Sequence, residues 1–75
     1  MNLNIDDTVT WSCVAGDMEG VITNICLNLN AADQTVPWID IKVINDQGRA
    51  YGVRLCATES NLKMMRVVKV ELVAA

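Results

Sequence analysis

Apolar residues recur at every second position along most of this chain, and that period restricts its fold more than any other feature. A period of two belongs to a β-strand with one buried face, whereas a helix needs 3.6. The cleanest case is Trp38-Ile39-Asp40-Ile41-Lys42-Val43-Ile44, where Ile39, Ile41 and Val43 alternate with Asp40 and Lys42. Near the start, Val9, Trp11 and Cys13 alternate with Thr8, Thr10 and Ser12. In residues 21–29, Val21, Ile25, Leu27 and Leu29 fall on one side, and Asn24 and Asn28 on the other with Ile22 and Cys26. Tyr51, Val53 and Leu55 oppose Ala50, Gly52 and Arg54. Val68, Val70 and Leu72 alternate with Lys69 and Glu71, and the β-branched density of residues 67–73 argues against a helix there.

The breaks between these runs are turn chemistry. Gly16-Asp17 signals a turn, and Gly20 opens the second run. Residues 30–37 read as a polar loop ending in Pro37, which pushes Val36 toward extended geometry. Asn45-Asp46-Gln47-Gly48 is a hairpin signal, with Gly48 supplying a positive φ. Residues 56–62 break the alternation and suit one helical turn with Thr58 as its cap. Met64 and Met65 mark a bulge or register change ahead of the last strand. The expectation is a single domain over residues 1–75, mostly β, with five strands and a short helical turn before the last. Its expected core is Val9, Trp11, Val21, Ile25, Ile39, Ile41, Val43, Val53, Leu55, Leu62 and Val68.

Asp7-Thr8-Val9-Thr10-Trp11, then Gly16, then Gly20-Val21-Ile22-Thr23-Asn24-Ile25, resembles the opening of Tudor and KOW-type barrels. Ile39 to Val43, Asp46-Gln47-Gly48, Val53 to Leu55 and Asn61-Leu62 resemble the closing half of the hypervirulence-associated Tudor-type domains. The resemblance covers roughly residues 5–70 and implies a small five-stranded SH3-like barrel. It departs from that family in a short segment between the second and third strands and in a last strand that runs long, to Val73. Tudor-type barrels hold ligands in an aromatic cage, which here could draw only on Trp11, Trp38 and Tyr51. The KOW likeness implies nucleic acid as an alternative ligand.

Charge and residue usage narrow the function classes. The net charge is −3, and Lys42, Arg49, Arg54, Lys63, Arg66 and Lys69 are dispersed, which disfavours nucleic acid, whose binders gather positive charge against phosphate. There is no histidine, so Cys13, Cys26 and Cys56 lack a base for nucleophilic catalysis, and a zinc site would need three cysteines and a carboxylate. Asp6, Asp7 and Asp17 match no calcium-loop spacing and read as solvated turn carboxylates. No cofactor, metal or enzymatic activity is therefore expected. A plasmid-encoded type of dihydrofolate reductase is also a short SH3-like barrel, but its Val-Gln-Ile-Tyr motif does not occur here. With neither a signal peptide nor a run of about 20 apolar residues, the expected setting is cytoplasmic, with reduced thiols and no membrane.

At 75 residues and 52% hydrophobic, the chain either packs a dense core of Val, Ile and Leu or has apolar surface to share with a partner or a second copy. The expectation is a non-enzymatic module that binds a protein partner and self-associates. Small size also suits an accessory protein of a mobile element or phage. Trp38, out of phase with Ile39 and Ile41, is the candidate interface anchor, joined by Tyr51, Arg49 and Arg54. The expected oligomer contact is the last strand, through Val67, Lys69, Glu71 and Val73, with Lys69 facing a partner copy's Glu71.

Overall fold

A computed structural model describes residues 2–44 and 47–70. The elements run β1 (Thr8–Cys13), β2 (Gly16–Leu29), β3 (Thr35–Ile44), β4 (Ala50–Cys56), α1 (Glu59–Met64) and β5 (Val68–Val70). All five strands form one antiparallel sheet in the order β4-β3-β2-β1-β5. The protein is thus mostly β, a hairpin meander whose last strand returns to the first, with one short helix ahead of it.

Strands extend further into the expected turns than the sequence signals suggest. β2 starts at Gly16, which pairs with Cys13 and takes φ 109°, leaving Val14 and Ala15 as the whole turn. β3 starts at Thr35 because the amide oxygen of Asn30 gathers the loop, accepting from Ala32 N at 2.9 Å and Gln34 N at 3.0 Å. Such local side-chain bonds replace loop length. Gly48 has the expected positive φ, 77°, while Asn45 and Asp46 of that hairpin lie outside the described residues.

The core joins Val9, Trp11, Ile22, Ile39, Ile41, Val43, Leu55, Leu62 and Val67. Val53 packs against it from a partly buried position. Three expected members are misplaced. Val21 is 38% exposed, and Ile22 is fully buried in its stead. The cause is a bulge: Ile22 pairs with Ile41 and Asn24 with Asp40, so Thr23 has no partner of its own. Its hydroxyl donates to Asp40 O at 3.3 Å. An extra residue reverses the inward parity of a strand. Even-numbered residues face the core before Thr23, and odd-numbered ones share the face of Ile39 after it. Ile25 therefore stands on the core side as expected, opposite buried Ile39, yet is 37% exposed, and β1 does not extend to cover it. The third correction is Val68, which is exposed while Val67 is buried.

That last exchange follows from how α1 ends. Thr58 caps the helix as expected, its hydroxyl accepting from Asn61 N at 3.4 Å. Leu62 is the residue the helix buries. Lys63 and Met64 continue the helix, so the last strand begins later than residues 63–67 suggested. Arg66 then adopts φ 55°, with Arg66 N bonding Lys63 O at 3.2 Å and Val67 N bonding Leu62 O at 2.9 Å. These two bonds are a Schellman motif, with a non-glycine residue in the left-handed position. The turn swings Val67 under the sheet and sets β5 against Thr8, Val9 and Thr10.

Candidate interaction face

The register assigns three of the four expected binding residues to two faces. Trp38 pairs with Cys26 on one side and Cys56 on the other, and Arg54 pairs with Asp40, all on the sheet face opposite the core. Tyr51 pairs with Val43 and so shares the core face, where it is exposed at the end of β4. Tyr51 and Arg54 border one shallow depression of about 390 Å³ with Asp40 and Lys42, and Trp38 is not part of it. Arg49 lies in the loop before β4 and makes an interaction of its own. The four do not converge, and the three aromatics form no shared cage: Trp11 is buried in the core, Tyr51 and Trp38 on opposite faces.

Trp38 is half-buried within β3 rather than exposed at a loop mouth, and its indole N–H is buried without an acceptor among the described residues. Arg54 is committed to Asp40. Its Nε donates to Oδ1 at 2.7 Å and Nη2 to Oδ2 at 3.4 Å. The guanidinium bond holds the Asp40 carboxyl below its ordinary range, helped by Asn24 Nδ2 at 3.5 Å, and the same bond raises the arginine. Charge-assisted bidentate pairs of this kind fix two side chains in one geometry. Asp7 is likewise engaged, accepting from Asn4 N at 2.7 Å and lying 3.4 Å from Lys69 Nζ. Asp17 accepts from the Ser12 hydroxyl at 2.9 Å. Among the described residues no three metal-ligating side chains are grouped, and the three thiols are free.

The expected oligomer contact is also rearranged. Val67 lies in the core, so it offers nothing to a second copy. Lys69 pairs across strands with Val9, and its Nζ lies 3.4 Å from Asp7 Oδ2 of the same chain. Glu71 and Val73 lie outside the described residues.

What the structure displays instead is the distal arm of β2. Ile25, Leu27 and Leu29 line one face, 37%, 71% and 56% exposed. Their cross-strand partners are Ile39, Pro37 and Thr35, so the apolar face of the core continues outward along the arm. The same arm has an open backbone edge. β1 covers β2 from Gly16 to Val21, and Asp6 and Asp7 bond to Ile22; the Asn4–Asp7 turn then ends this pairing, with Leu3 packing back against the core. Past Ile22, β3 alone pairs with β2 among the described residues.

Compared with known proteins, the chain matches no family model, no curated protein and no solved structure.

The arm escaped the sequence reading because alternation marks a face without saying where packing stops. One signal was present: residues 20–32 carry no charged side chain, the longest such run in the chain. Among the described residues, no helix is long and apolar enough to cross a membrane.

Proposed function

We propose that this protein is a non-enzymatic protein-interaction module, an SH3-like barrel that docks a partner along the distal arm of β2. The observation that carries the reading is the apolar row Ile25, Leu27 and Leu29 beside a strand edge that is unpaired among the described residues. Apolar side chains supply burial, and free backbone groups supply directional hydrogen bonds; together they are what β-strand addition uses. Two of the cations that a nucleic-acid reading would need, Arg54 and Lys69, already sit against carboxylates of the same chain.

The test is affinity capture with the full chain and with Leu27→Lys, whose side chain is exposed and should leave the fold intact. A partner, whether a second copy or another protein, should be held by the wild type and lost by the variant. Identical capture by both would overturn the reading. A salt series with labelled oligonucleotide is the counter-test: binding that rises steeply as salt falls would replace this function with the nucleic-acid alternative.

A further inference from the structure

The free edge of β2 has a definite hydrogen-bonding parity. Asn30 N donates to Gln34 O at 2.9 Å at the hairpin end. Bonded pairs alternate along an antiparallel ladder, so Asn28/Val36, Cys26/Trp38 and Asn24/Asp40 are the bonded pairs between β2 and β3. Pro37 checks this independently: its carbonyl accepts from Ala57 N at 2.8 Å, on the side of β3 away from β2. Leu27, opposite Pro37, is therefore not bonded to β3. The N–H and C=O groups of Ile25, Leu27 and Leu29 point to the open edge. Leu29 N shows the consequence, since it turns to the Asn28 side-chain oxygen at 2.8 Å.

The three residues with outward backbone groups are thus the three with exposed apolar side chains. The stretch around them, Asn24-Ile25-Cys26-Leu27-Asn28-Leu29-Asn30, is close to symmetric about Leu27. We infer that this edge pairs with the same edge of a second copy, antiparallel, about a two-fold axis at Leu27. This inference rests on the arm being the docking surface and names its occupant. In that register Leu27 meets Leu27 of the partner subunit, Ile25 meets the partner's Leu29, and Asn24 meets the partner's Asn30. Every bonded pair this register requires falls on a residue whose groups already face outward. The apolar rows of the two copies join on one side of a continuous sheet, and asparagines and Cys26 line the other.

Charge and edge structure favour self-pairing here over the other two edges. With a net charge of −3, two copies repel, but the arm contributes nothing to that repulsion because residues 20–32 are uncharged. Natural edges are kept apart by charge, shortness or distortion. β4 carries Arg54 and Gly52, and the described β5 is three residues with Lys69 between its valines. The distal arm has none of these devices.

The experiment is light scattering of the full chain at up to about 200 µM, a range matched to a small interface. The mass should rise toward twice the 8.2 kDa monomer. Leu27→Lys, at the centre of the contact, should weaken association at least about tenfold, whereas Val68→Lys on β5 should leave it unchanged. Register is read separately by oxidation in a Cys13→Ser, Cys26→Ser, Cys56→Ser background whose β-type circular dichroism is first confirmed. Leu27→Cys should cross-link, because a bonded pair sets Cα atoms about 5.5 Å apart, within disulfide reach. Asn24→Cys should not, being displaced from its own copy by about six residues, roughly 20 Å. A strictly monomeric wild type overturns the inference, as does a dimer untouched by Leu27→Lys. If such a monomer shows protected amides at Ile25, Leu27 and Leu29, a segment of its own chain fills the edge; if they exchange freely and Leu27→Lys still abolishes capture of another protein, the interaction reading survives and its partner is foreign.

Discussion

Replacing Gly20 with alanine should unfold this domain well below the wild-type melting point, for a reason visible in three contacts. Gly20 is buried opposite Val9, next to the point where β2 begins to pair with β3 at Val21 and Lys42. A methyl group there would collide with Ile41 Cγ2, lie 2.7 Å from Lys42 O and 3.2 Å from Val43 Cγ2. A carbon sits no closer to a carbonyl oxygen than roughly 3.3 Å even in favourable C–H···O contacts, so the oxygen is overlapped by about 0.6 Å. Lys42 O is backbone in a strand held on both sides by β2 and β4, and it cannot rotate away. Overpacking of a well-filled interior costs about 1–3 kcal/mol, and a fixed backbone atom places this case near the top of that range. For a domain of this size about 2–3 kcal/mol corresponds to a melting point lowered by roughly 10–20 °C. Gly52→Ala is the matched control: nothing lies within 4 Å of its added methyl, and its φ is not in the left-handed region. Removing a strand glycine there should stabilise by about 0.5 kcal/mol. Thermal and urea unfolding followed by circular dichroism would measure both. A Gly20→Ala protein melting within about 2 °C of wild type would refute the steric argument, and equal losses at both positions would show that generic strand effects, not this close contact, are responsible.

Three further outcomes follow from single features. Ile22→Ala should cost about 2–4 kcal/mol and Val21→Ala under about 1 kcal/mol by urea midpoint, since only Ile22 is enclosed; the reverse order would place the bulge elsewhere. Arg66→Gly should stabilise by about 1 kcal/mol, because the left-handed position that ends α1 suits glycine and strains arginine; a loss of stability would mean that the arginine side chain contributes more than its backbone costs. The Asp40 carboxyl is held below its ordinary value of 3.8 by Arg54, so the pair's contribution to stability is complete above that pH and lost as pH falls through the lower folded value. Arg54→Gln should move the Asp40 titration upward, read from the carboxyl carbon by NMR; an unchanged titration would mean that the ion pair is not populated in solution.

Period-two alternation was enough to make this chain mostly β and to pick Val9, Trp11, Ile39, Ile41, Val43 and Leu55 as interior, because strand geometry ties sequence spacing directly to a face. Thr58 and Gly48 were legible for a similar reason: a cap and a positive-φ turn are satisfied within a few residues of themselves. What the alternation could not express was the bulge at Thr23, whose extra residue reverses parity and exchanges Val21 for Ile22. Nor could it express the turn at Arg66 that exchanges Val68 for Val67, since a non-glycine residue in the left-handed position carries no turn signal in the sequence. The candidate face was hidden as well. Ile25, Leu27 and Leu29 look like core residues along the chain, and only the tertiary structure, in which the segment before β1 turns at Asn4–Asp7, leaves them on an edge that is bare among the described residues. Local spacing determines which way a side chain points; whether anything stands there to meet it is settled by segments distant in sequence.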